Sequence, residues 1–118
     1  MKRSRSQDGA LLLSELNDDA VLRSNLFKGS VAGREAVKGM IEAIDALCPH
    51  QKLVYRHRVG NREFILTDAV TRSGERVQMT TVGIRDDSGW IGAIMMDHSP
   101  PSAAARVAAE LEAQSRAA

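Results

Sequence analysis

A chain of 118 residues, 43% hydrophobic and 26% charged, has the size and make-up of a single globular domain with a real core. Its 16 basic and 15 acidic side chains leave a net charge of +1, so no overall field draws it to nucleic acid or to an anionic membrane. Aromatics at 3% supply no base-stacking face, and one cysteine, Cys48, excludes an internal disulfide and any cysteine-based zinc site.

Residues 1–9 read as a flexible N-terminus, with Lys2, Arg3 and Arg5 a solvated basic tail. A single domain is expected over 10–116. Its first element is expected to be one or two helical turns over 10–16, with Leu12, Leu13 and Leu16 on one stripe. Leu11-Leu12-Leu13 is too short for a signal-peptide core, and no apolar run approaches the roughly 18 residues of a membrane span, which makes the cytoplasm the default compartment. Asn17-Asp18-Asp19 should break the helix before a short strand over 20–24 and a loop over 25–33. From Arg34 to Leu47 the apolar positions Val37, Met40, Ile41, Ile44 and Leu47 follow helical spacing, and Pro49 ends that amphipathic helix. Cys48, between an apolar run and Pro49, reads as a buried, inert thiol.

Four strands are expected next, over 52–59, 64–71, 76–85 and 90–99, joined by Gly60-Asn61, Arg72-Ser73-Gly74 and Asp86-Asp87-Ser88-Gly89 as an antiparallel meander. Pro100-Pro101 stops the last one, and an alanine-rich helix over 102–116 follows. The order predicts an α+β fold with helices on one face of a sheet.

Alternation assigns the strand side chains to two faces. One carries Leu53, Tyr55, His57, Val59, Phe64, Leu66, Asp68, Val70, Val77, Met79, Thr81, Ile94, Met96 and His98, and is expected to meet the helices. The other carries Val54, Arg56, Arg58, Ile65, Thr67, Ala69, Gln78, Thr80, Val82, Ile84, Ile91, Ala93, Met95 and Asp97. It is too apolar to stay wet and too polar for a core, which predicts a homodimer through it.

Asp18-Asp19-Ala20-Val21-Leu22-Arg23-Ser24, then Gly33-Arg34-Glu35-Ala36-Val37 opening a helix, Asp86-Asp87-Ser88-Gly89-Trp90-Ile91 and the tail from Pro100 to Leu111 together resemble the nuclear transport factor 2-like (NTF2-like) superfamily, in its SnoaL-like branch. His98-Ser99 departs where members carry an arginine before the tail. The resemblance spans about residues 10–112. It implies a cone-shaped, curved antiparallel sheet wrapped by helices, an apolar pocket inside and dimerisation through the sheet. The superfamily includes ketosteroid isomerases, polyketide cyclases, epoxide hydrolases, dehydratases and non-catalytic modules, so the fold alone does not imply a reaction. The first helix is shorter here than members usually have, which implies a shallower pocket or cover from the C-terminal helix. Steroid-isomerase chemistry is not expected, because Ser24 and Thr81 stand where its carboxyl groups would fall.

Two readings follow. As an enzyme, Asp68 on an apolar face is the acid/base, with Tyr55 and His57 as its orienting partners. Thr81, His98, Met79, Met96, Ile94, Leu66 and Met40 then line a pocket for a small hydrophobic molecule. As a non-catalytic module, the fold only dimerises or presents a surface. No cofactor is called for, and no third ligand supports a metal site.

Overall fold

The computed structural model describes residues 13–117; the expected N-terminal tail and the start of the expected first helix lie outside them. A 3-10 turn, Leu13–Glu15, leads into β1 (Leu16–Ser24), β2 (Val31–Ala32), α1 (Arg34–Leu47), β3 (His50–Val59), β4 (Arg62–Val70), β5 (Arg76–Arg85), β6 (Ile91–Ser99) and α2 (Pro101–Ala117). The strands form one curved, unclosed sheet in the order β2-β1-β6-β5-β4-β3. β3 to β6 are the expected antiparallel meander, whereas β1 lies parallel to β6, so the sheet is mixed.

The apolar stripe of α1 buries Val37, Ile41, Ile44 and Leu47. They meet Ala103, Ala104, Val107 and Leu111 of α2, and Ile65, Val77, Met79, Ile94 and Met96 of the sheet, in one core. Cys48 is fully buried beside them, and burial, reinforced by the charges of Asp45 and Glu110, pushes its thiol up to about 11. A thiolate is therefore scarce at neutral pH, and the side chain packs as a small apolar group.

The first expected helix is corrected. Leu13–Glu15 makes a single 3-10 turn, and Leu16, expected on the helix, opens β1. Asn17-Asp18-Asp19 does not break a helix but bulges inside a strand, where the register moves from Leu16↔Ile91 to Val21↔Ala93. The bulge is held by side chains. Asn17 Oδ1 accepts from the Asp19 N–H (2.8 Å) and Asn17 Nδ2 donates to Asp86 Oδ2 (2.6 Å). Arg34 Nε donates to the Leu16 carbonyl (3.2 Å), and its guanidinium pairs with Asp18.

The face assignment holds for β5 and for β6 from Ile94 on and reverses for β4, while Ile91, expected on the opposite face, is buried in the core beyond a register shift where it pairs with Arg85. Val77, Met79 and Thr81, with Ile94, Met96 and His98, are buried against the helices. In β4 the buried set is Glu63, Ile65, Thr67 and Ala69, so Phe64, Leu66, Asp68 and Val70 point the other way. The register fixes this: Ala69 lies opposite Val77, Thr67 opposite Met79 and Ile65 opposite Thr81. The 71–75 connection, closed by hydrogen bonds between Thr71 and Glu75, sets the pairing one residue away from the expected phase, and such a slip exchanges the faces of a whole strand. β3 follows β4, because Tyr55 pairs with Leu66 and His57 with Phe64, so both also face outwards.

Gly33 ends the loop before α1 at φ 101° and ψ 142°, backbone space that only glycine enters freely. Its N–H donates to the Ala20 carbonyl (2.8 Å) and its carbonyl accepts from Val37 (2.9 Å), which ties β1 to the helix. No atom lies near the position of an added Cβ, so the penalty of a side chain is conformational. Gly33→Ala is expected to cost about 1–3 kcal/mol of stability, read as a lowered urea midpoint at unchanged slope.

Candidate functional site

Among the described residues, buried side-chain polar atoms without a partner occur at Arg85, at Nε, and at His98, where both ring nitrogens lack one. β6 carries His98 one residue before its end, with Met79 opposite on β5 and Thr81 a step along, opposite Met96. The backbone around it is fixed from β1: Asn25 Nδ2 donates to the His98 carbonyl (2.8 Å), and Asn25 Oδ1 accepts from the His98 N–H (2.9 Å). The imidazole is 2% exposed, and neither Nδ1 nor Nε2 has a hydrogen-bond partner among the described residues. Burial lowers its pKa to about 4, against a small upward pull from Asp97. At neutral pH it is an uncharged ring with one N–H to give and one lone pair to accept. The buried Thr81 and Thr67 share the inner face of the sheet with it, opposite Met96 and Met79.

A second polar cluster on the same face was not anticipated. Glu63, 7% exposed, accepts from Arg56 Nη2 (2.7 Å) and Nε (3.2 Å) and from Arg85 Nη2 (3.2 Å), and Arg85 also pairs with Glu15 (2.7 Å). Burial alone would raise the Glu63 carboxyl, but its bonds to Arg56 and Arg85 outweigh it and hold the pKa below the usual carboxylate range. Every charge here is paired with its opposite, so the cluster ties the 3-10 turn to the sheet and offers no free acid or base. The signal for it was Glu63 itself, in phase with Ile65, Thr67 and Ala69. Arg85, expected on the face opposite Ile65 and Thr67, meets Glu63 because of the β4 slip.

The expected catalytic trio lies on the opposite side of the sheet. Asp68 is exposed and accepts from Gln78 Nε2 (3.2 Å). Tyr55 is 51% exposed and its ring sits 6.0 Å from that of His57. The acid/base reading relied on burial among apolar side chains, and the outward phase of β3 and β4 removes that setting. Of the expected pocket residues, Thr81, His98, Met79, Met96 and Ile94 share the inner face, Met40 packs against the same core, and Leu66 points outwards. Ser24 Oγ accepts from the Leu26 N–H (3.1 Å), so it serves the turn after β1. Among the described residues no cluster of His, Cys, Asp or Glu could hold a metal ion, and no helix is long and apolar enough to cross a membrane.

No protein-family model and no curated protein sequence matches the chain. Solved structures do. A bacterial protein with a cystatin-like fold from Silicibacter pomeroyi superposes with a TM-score of 0.81 at 10% identity, over 86% of this chain and 72% of that one. A steroid delta-isomerase from Pseudomonas aeruginosa gives 0.78 at 18% identity, over 89% and 77%. An NTF2-like protein from Mesorhizobium loti gives 0.64 at 22%, over 77% of each chain. The chain has the NTF2-like fold. A structure of the SnoaL-like family is also similar, which fits the resemblance seen in the sequence. His98 and Thr81 share the inner face of the sheet with Thr67 and the Glu63 cluster.

The depressed pKa of His98 has a stability consequence whose sign is fixed. Between pH 6.5 and about 4 the unfolded chain takes up a proton that the folded chain refuses, so stability is full above pH 6.5 and falls as pH drops. The loss across that window is expected to be roughly 3 kcal/mol. Urea titrations from pH 7.5 to 4 should show it in the wild type, and His98→Met should flatten it.

Proposed function

We propose that this protein binds a small, largely apolar molecule bearing one carbonyl or hydroxyl group, at His98 and Thr81 on the inner sheet face, and that it does so as a homodimer joined through the outer face. The observation that carries the binding reading is the buried imidazole without a hydrogen-bond partner among the described residues. An unsatisfied buried polar atom costs about 1–3 kcal/mol, and such a group in a native protein calls for a reason. A ligand that gives it a partner recovers that cost. The similarity to a steroid delta-isomerase supports a ligand of this class, with Met79, Met96 and Ile94 as its apolar walls. The proposal is binding: no bond-breaking role falls to Asp68, Tyr55 or His57 on the outer face.

The dimer reading rests on the outer-face rows nearest the β5–β6 turn. His57, Phe64, Val82, Met95 and Arg23 lie side by side across five strands, and Val59, Arg62, Ile84, Ala93 and Val21 form the next row. Val59 and Met95 are 57% and 40% exposed. An apolar patch of that breadth on a sheet commonly meets a second subunit.

Two measurements test these readings. Long-range proton–nitrogen NMR of the imidazoles, during titration with a panel of cyclic ketones and phenols, should shift the His98 nitrogens. His98→Leu should weaken binding about tenfold with the fold intact. Binding that leaves His98 unmoved, or no binding across the panel, counts against the inner site. In sedimentation velocity the wild type should run as a dimer and Met95→Arg as a monomer; a monomeric wild type removes the dimer.

A further inference from the structure

The outer face of the sheet divides into two unlike halves. Beyond the apolar rows, Lys52, Asp68, Gln78 and Ser99 lie side by side, followed by His50, Val70 and Arg76 at the hairpin end. These side chains line an open groove of about 730 Å³, with Ala69, Val77 and Pro100 contributing to its walls. Its size falls within the range of small-molecule sites, about 300–1,000 Å³. The side chains of Lys52, Asp68, Val70, Arg76 and Gln78 lie across the sheet from His98 and Thr81, whereas those of Ala69 and Val77 are buried on the inner face.

Charge decides what fits it. Lys52 and Arg76 each bring a cation, and among the described residues neither forms an ion pair. The one carboxylate, Asp68, is bonded to the amide of Gln78, although Lys52 is its register partner on the next strand. The groove therefore holds one more fixed positive charge than negative, beside the apolar side chains of Val70 and Pro100. A monoanion completes that balance. A dianion sets its second charge against Asp68, and a neutral molecule leaves both cations without a partner.

We infer that this groove is a second ligand site, for a small monocarboxylic acid with a flat apolar body. The carboxylate lies between Lys52 and Arg76, and the body rests along Val70 toward Pro100. The site is independent of the inner-face reading, and it stays open in a dimer formed through the apolar rows.

The test is an amide NMR titration of the full chain with naphthalene-2-carboxylate, against naphthalene-2-carboxamide and 2-naphthyl phosphate as charge variants. The carboxylate should bind about tenfold tighter than the amide and tighter than the phosphate, with shifts confined to the ends of β3, β4 and β5 that line the groove. Lys52→Gln and Arg76→Gln should each weaken it by about tenfold, and added salt should weaken it further. Both substitutions are on exposed surface and leave the amide spectrum of the fold in place, so lost binding reads on the groove. Equal affinity for acid and amide, tighter binding of the phosphate, shifts centred on His98 and Thr81, or no saturable binding each overturns the proposal. Titrating the Met95→Arg monomer separates it from the dimer reading, since the groove should bind equally well there.

Discussion

The parallel pairing of β1 with β6 is the contact on which the rest of this small fold depends. A parallel neighbour cannot come from a tight turn, so the chain must cross over and return, and α1 makes that crossing. The contact is pinned at three places by side chains. Asn17 reaches Asp86 at the β5–β6 turn, Arg34 holds the Leu16 carbonyl and Asp18, and Asn25 brackets the backbone of His98. Each pin joins residues far apart in sequence and spends a polar side chain on backbone or turn geometry. The core then needs only to fill the space that these pins define.

This changes what the sequence motifs mean. The Asp-Asp run, the Gly-Arg start of α1 and the Asp-x-x-Gly turn are the residues that resembled a superfamily, and each builds the frame. Asp18 pairs with Arg34, Gly33 adopts a backbone shape closed to other residues, and Asp86 accepts from Ser88, Trp90 and Asn17. A pattern that serves geometry is shared by proteins with different chemistry, so likeness to structures at 10–22% identity establishes the fold and assigns no activity to this chain.

Much of the frame was legible in the chain. The α1 boundaries, β5, the meander and the C-terminal helix follow from periodicity and turn residues, which act locally. Besides the first helix, what failed was the face of β4, which depended on counting across a loop. The five residues from Thr71 to Glu75 did not show whether Val70 or Ala69 shares a face with Val77, and a single residue there moved Phe64, Leu66 and Asp68 from the core to the outside. The apolar content of β4 gave no warning, because both of its faces are apolar: Ile65 and Ala69 on one side, Phe64, Leu66 and Val70 on the other. His98 and Thr81 were placed correctly because β5 and β6 join through a short, recognisable turn. The ion cluster of Glu63, Arg56 and Arg85 was invisible for the same reason that Asp68 was misplaced.

Among the described residues β3 is an edge strand of the sheet, with the sequence HQKLVYRHRV. It contains three permanent cations and no acid, on a strand that also exposes Leu53, Val54, Tyr55 and Val59. Two such borders brought together would pair backbone to backbone, and like charge is what keeps them apart. Since that repulsion is Coulombic and lies at the surface, it fades over a Debye length of about 10 Å at 0.1 M salt. Added salt therefore weakens the like-charge repulsion between two such borders.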